Sequence, residues 1–367
     1  MLIIFEIKCI NELILLCSTN YNEADLNGVP MWKNNTGYKY LVFLVIALCV
    51  TVFFSFMIGK YSISPNEIMG ILASKILPIK QYWTDQMETV FFQIRFPRIL
   101  MSVLVGGALA SAGACYQGVF QNPMAAPDIL GASTGAAFGA ALAILMHGSK
   151  VMITASAFFF SILSVILVLI FSKKSMGSKI LAFVLSGMMI GSLFSAGTSF
   201  IKLVADPTEQ LPSITYWLMG SLSGSTSQSL KFVFWVMIGG WIPIYLVRWK
   251  MNLLTLGDEE AQTMGIKINR IRIVIIVAAT LLTAAAVSVS GIIGWVGLII
   301  PHLARRMVGG NFRYLIPCSM LLGGWFLLLV DNLSRSLFTS EIPIGILTAL
   351  VGAPFFLYLL SGRGEKV

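Results

Sequence analysis

The sequence predicts an all-α integral membrane protein of about ten crossings, and three observations carry that expectation. The 367 residues are 57% hydrophobic and only 11% charged, with a mean hydropathy of +0.86, whereas soluble domains carry about 25% charged residues. The apolar residues fall in long runs such as Ile99 to Phe120, and at about 1.5 Å per residue such a run crosses a hydrocarbon core. Small residues recur at every fourth position in several runs, the spacing that lets helix backbones approach closely in a bilayer.

The first run is Tyr40–Ile58. A mixed segment follows to Gln93, with a short surface helix signalled by Ser64, Pro65 and Glu67, a capping box with proline at the first helical position, and a loop behind it. The pair Arg95 and Arg98 precedes the second run, Ile99–Phe120, whose small residues are Gly106, Ala110, Ala114 and Gly118. The turn Asn122-Pro123-Met124 leads to the third run, Ile129–Met146, with Gly131, Gly135, Gly139 and Ala143. These two stripes are expected to pack as a pair of spans. The fourth and fifth runs are Val151–Phe171 and Ile180–Val204, the latter with Gly187, Gly191, Ser195 and Ser199 on one face. Tyr216-Trp217-Leu218 marks an interfacial helix with an aromatic anchor. The remaining runs are Phe232–Val247, Ile273–Val289, a short glycine-rich stretch Gly291–Ile300, Tyr314–Leu333 and Ile344–Leu360.

Residues 1–30 stand apart. Glu6, Lys8 and Glu12 interrupt their apolar stretch, which makes a poor signal-peptide core. They are expected to form a poorly ordered, dispensable extension, with Met31 as an alternative translation start, ahead of a single transmembrane domain over 31–367.

The net charge of +9 comes from lysines and arginines at the ends of apolar runs, not from one patch, so a nucleic-acid partner is not expected. The short turns that hold Lys173, Lys174, Arg248, Lys250, Arg270, Arg305 and Arg306 carry most of the basic excess, which places them and both termini in the cytoplasm. The five cysteines form no CxxC pair and the two histidines, His147 and His302, stand far apart, so no metal site is expected. No phosphate loop and no Ser-His-Asp, HExxH or paired-carboxylate arrangement is present, so an enzyme has no support and any ATP must be bound by another chain.

Two constellations remain. Leu256, Gly257, Asp258, Glu259, Glu260 and Ala261 through Gly265 form a short polar helix whose acids favour its positive end, read either as a solvated connector or as a surface that a soluble partner pushes on. Arg95, Arg98 and Arg335 fall on the outer face, read either as snorkelling arginines or as a receiving surface for an acidic partner, since the guanidinium fork bonds both oxygens of a carboxylate. The sequence lacks the mid-span acids that proton- or ion-coupled carriers leave behind; an ATP-independent secondary transporter is the distant alternative.

Together, RFPR, GALASAGACYQGVFQNPMAAPDILGASTGAAFG, LSGMMIG, YWLMGSLSG, LGDEEAQTMGI, GIIGWVGLIIPHLARR and EIPIGILTALVGAPFFLYLL resemble the FecCD-type permeases, in the family's order from about Ser64 to Leu360. These are membrane subunits of bacterial ABC importers for iron–siderophore complexes, haem and cobalamin. The resemblance implies a type II ABC importer permease architecture in the cytoplasmic membrane, in contact with lipid. It implies two cytoplasmic ATPases that bind the ATP and Mg, a second permease subunit (a copy or a relative), an extracytoplasmic binding protein, and no cofactor on this chain. It implies that Arg95, Arg98 and Arg335 accept acids of the binding protein and that Leu256–Gly265 docks on the ATPase. It also implies that Asn122-Pro123-Met124 lies at the cytoplasmic gate, with Met for the usual Leu, and that an iron–siderophore complex is the expected cargo.

Overall fold

The computed structural model describes residues 34–59, 61, 63–75, 80–173, 179–255, 267–338 and 340–361, all helix and connection with no strand among them. The extension 1–30 and the acidic segment 256–265 lie outside the described residues. The helices are α1 Asn34–Ser55, α2 Pro65–Ser74, α3 Asp85–Thr89, α4 Phe96–Val119, α5 Ala132–Leu145, α6 Lys150–Lys173, α7 Lys179–Val204, α8 Gln210–Leu218, α9 Ser227–Leu254, α10 Ile268–Ser290, α11 Val296–Val308, α12 Phe312–Ser336 and α13 Ile344–Ser361. Among the described residues seven helical stretches are long and apolar enough to cross a membrane, and Ala132–Leu145 and Ile344–Leu357 are shorter apolar helices.

The capping box at α2 forms as its sequence predicts: the Glu67 carboxylate accepts from the Ser64 amide at 2.7 Å, and the Ser64 hydroxyl accepts from the Glu67 amide. The loop expected behind α2 is present over residues 80–84 but does not extend to Gln93. Thr84 caps α3, and the helix continues without a break from Asp85 to Val119. Between them Val90–Arg95 widens into a π turn, with the Phe96 amide bonded to the carbonyl of Phe91, five residues back. Pro97, which has no amide to donate, opens the α segment that follows; an extra residue in the preceding turn accommodates such a break in the ladder. Downstream, Gly291–Ile300 is not a helix of its own. Gly291 ends α10 at φ 68° and Trp295 stands at φ 70°, so the helix begins only at Val296 and carries Pro301, Arg305 and Arg306 within it. The third run also starts late: Pro127–Leu130 is a 3-10 turn, Gly131 is left-handed at φ 73°, and α5 is only 14 residues long.

The continuous helix ending in α4 is the axis of the molecule. Of its most apolar stretch 83% is buried, against 72% for α10 and α12 but only 11% for α1. α4 is rich in Gly, Ala and Ser, so larger neighbours close on its backbone, while α6, α7 and α9 turn Phe159, Leu193, Leu203 and Trp235 outward, as a hydrocarbon surround requires. The two stripes of small residues do not meet as a pair. α4 packs chiefly on α12 and α5 chiefly on α6. Gly106 faces the Gly323 carbonyl and Leu327, Gly118 faces Phe312 and Met251, Gly135 faces Phe160 and Ser164, and Gly139 faces Ser156. Gly187 faces Ile129, and Gly131 and Gly191 lie against each other. Gly113 against Gly297 is a closer approach than most of these, since a Cβ there would collide with the Gly297 backbone.

Candidate functional site

The antiparallel packing of α4 on α12 brings the start of one to the end of the other, and there the three arginines gather. Arg98 lies between two carboxylates. Its Nε and Nη2 both sit 2.9 Å from Asp331 Oδ1, and its Nη1 donates to both oxygens of Glu341 at 3.0 and 2.9 Å. Arg335, one turn beyond Asp331 on α12, places Nε 3.1 Å from the other oxygen of Asp331. It also donates to the Asn332 side chain and, at 3.2 Å, to the Ile58 carbonyl. Arg95 donates to the carbonyls of Phe56 and Tyr61, which ties the end of α1 to α4. Asn332 completes the joint by donating to Ser55 Oγ at 2.8 Å.

All three guanidinium groups are buried, as is Asp331, while the Glu341 side chain keeps 28% of its surface exposed. In this chain by itself they are therefore neither snorkelling nor a free surface; they form one internal network. Among the described residues, three arginines against two carboxylates leave one positive charge in excess. The sequence pointed to the three arginines but to neither Asp331 nor Glu341 as their partner. The π turn and Pro97 fix the rotation that points both Arg95 and Arg98 into the network, three residues apart on one face.

At the other end of α4, about 36 Å away along the axis, the chain turns without charge. Gln121 takes a left-handed φ of 50°, and the Asn122 amide folds back on the Gln117 carbonyl at 3.2 Å. The Asn122 side chain accepts from the Met124 amide at 2.8 Å, and its carbonyl accepts from Ala125 at 3.0 Å. Pro123 cannot donate, so the turn needs only these bonds. Met124 stays exposed. Gln121 Nε2 donates to the Leu254 carbonyl at 2.5 Å, joining this turn to the last residue of α9. Nearby, Gln117 donates to Leu298 at 3.1 Å and accepts from Arg305 at 2.6 Å, which holds α11 on α4. Burial pushes the Asp128 carboxyl up, and the Ser133 hydroxyl that donates to it works the other way. Among the described residues no three of His, Cys, Asp and Glu gather as a metal site.

The comparisons with known proteins agree with one another. Residues 47–362 match the FecCD transport family. The molybdate import system permease protein MolB of Haemophilus influenzae is 42% identical over 318 residues, 87% of this chain and 94% of its own length. The Fe(3+)-citrate import system permease protein YfmE of Bacillus subtilis is 38% identical over 333 residues, 89% of this chain and 96% of its own length. A solved chain described as an inward-facing ABC transporter of metal-chelate type superposes with a TM-score of 0.80 at 41% identity, covering 89% of this chain and 99% of that one. A buried, small-residue axis with multiple spans around it, matched over nearly its whole length by such relatives, leaves one assignment: the chain belongs to the FecCD transport family and is a permease subunit of an ABC importer.

Proposed function

We propose that this permease carries an iron–siderophore complex across a bacterial cytoplasmic membrane, with both termini on the cytoplasmic side. It works with a second permease subunit, two ATPases that hold the ATP and Mg, and an extracytoplasmic binding protein. The observation that carries the reading is the concentration of Arg95, Arg98 and Arg335 at one end of the molecule with a surplus positive charge. Such a site suits carboxylates on an incoming soluble protein. The opposite end, where Asn122-Pro123-Met124 turns beside the end of α9, is the cytoplasmic gate, and Leu256–Gly265, which follows α9, receives the ATPase. ATP-driven closure of the ATPases would move that segment, and the motion would pass to the glycine-packed helices that open one mouth as the other closes.

The cargo reading rests on chemistry. The chain gathers no ion-holding cluster among its described residues, which suits cargo that arrives already chelated. The relatives carry different cargo by name, molybdate in one and ferric citrate in another, so cargo is tested directly. The complete importer is reconstituted in proteoliposomes with ATP and offered a ferric siderophore, haem, cobalamin and molybdate in turn. ATP-dependent uptake of the ferric siderophore alone is expected; preferential uptake of another cargo would replace the iron reading and leave the transporter intact. For the arginines, reversal to Glu is a poor probe, because it would set a third acid beside Asp331 and Glu341. Arg95→Gln with Arg98→Lys keeps the fold's charge pairing and loses the fork, and should weaken binding-protein docking most clearly at low salt.

A further inference from the structure

Glu341 differs from its neighbour Asp331 in three ways. It bonds only Arg98 where Asp331 serves both Arg98 and Arg335, it is partly exposed where Asp331 is wholly buried, and it sits on the connection between α12 and α13 and not within a helix. That connection is a short strap. The Ile342 carbonyl accepts from Ser334 Oγ at 2.6 Å, the Ile344 amide donates to Gly220 at 2.8 Å, and the Gly345 amide donates to Met219 at 3.2 Å. The strap thereby seats the start of α13 on a knot of three glycines. A Cβ at Gly220, Gly291 or Gly345 would strike the backbone carbonyl of Ile292, Trp217 or Met219 respectively, so the ends of α8, α10 and α13 meet with no side chain between them. A cavity of about 510 Å³, lined by Leu218, Trp295, Ile346 and Leu350 among others, opens beside that knot.

We propose that Glu341 is a built-in stand-in for a partner's carboxylate. It occupies the Nη1 edge of Arg98 while no partner is bound, an acidic side chain of the docking protein displaces it, and its release slackens the strap that holds the start of α13 on the glycine knot. Docking and loosening of the outer end of the last helix are then one event. Asp331 stays in place throughout, because removing a buried ion from two arginines costs far more than exchanging a half-wet one. The idea rests on the reading of this end as the docking site for the binding protein.

The test uses the complete solubilised importer and its own binding protein. Glu341→Gln keeps the shape of the side chain and removes the competing charge. At low salt it should bind the binding protein about two- to fivefold more tightly, the range an exposed ion pair spans. Hydrogen exchange supplies the second measurement. In the parent protein the amides of Ile344 and Gly345 should exchange faster once the binding protein is added, and in Glu341→Gln they should already be fast without it. Equal or weaker docking of Glu341→Gln, or no change in those two amides, overturns the stand-in even if Arg95→Gln with Arg98→Lys docks poorly, which keeps the docking reading. Full docking by that arginine variant removes the docking reading and the stand-in with it.

Discussion

The two ends of the central helix are closed by different chemistry. At the end that carries Arg98, three guanidinium groups and Asp331 are packed where little water reaches, with Glu341 partly exposed beside them. At the end that carries Gln121, closure is mostly by neutral amides: Gln121 to Leu254, Gln117 to Leu298, and Asn122 to the backbone of its own turn, with Arg305 donating to Gln117 as a charged contact. Buried charges are costly to separate and selective for a charged partner, whereas neutral hydrogen bonds contribute little net energy and can be remade after a shift. Under the proposed function, the first chemistry suits recognition and the second suits a hinge.

The largest expected effect lies at the charged end. Asp331→Ala leaves Arg98 and Arg335 facing each other and should cost about 3–5 kcal/mol, the range for breaking a buried ion pair, read as a large fall in the melting temperature of the purified protein. Glu341→Ala should cost a small fraction of that; equal losses would show that the two carboxylates are not distinct in role. Next comes the waist between the ends. Gly113→Val drives side-chain atoms into the Gly297 backbone, and overpacking of that kind costs about 1–3 kcal/mol or more. A variant as stable as the parent would mean that α4 and α11 do not approach as closely as described. A smaller effect is expected at the neutral end, where Gln121→Ala gives up one hydrogen bond at about 0.5–1.5 kcal/mol. Its signature should be functional: ATP hydrolysis of the assembled importer should persist while uptake falls. The smallest functional effect is expected outside the comparison. Ser64→Ala removes the cap of a surface helix at about 1 kcal/mol, and docking and uptake should hardly change.

Much of the fold was legible because it is written locally. Ser64, Pro65 and Glu67 state a helix start within four residues, and the observed cap uses those atoms. Long apolar runs state helices whatever they pack against. The misread element boundaries fell where the backbone departs from a regular helix, whereas the misread pairing of the small-residue stripes was a matter of partner choice. The π turn before Pro97 allowed helix where a loop was expected, and the positive φ at Gly291 and Trp295 moved a helix start past an apolar stretch. A run of Gly, Ile and Trp has the same hydropathy in either conformation, so periodicity cannot place such a boundary. Of the arginine cluster, the residue types could be read but not the company they keep.

The amino-acid order by itself determined that the chain crosses a membrane many times, where most crossings lie, and which helix faces are narrow enough for close approach, because hydropathy, caps and four-residue spacing act within one or two turns. Only the tertiary structure decided that α4 lies against α12 and α5 against α6, and that Arg98 meets Asp331 and Glu341. Those partners stand more than two hundred residues apart in sequence. A small-residue face fits any helix that can come near, and an arginine fits any carboxylate. The choice among them is made by the packing of the whole bundle, where each buried charge must find an opposite and each glycine a backbone to touch.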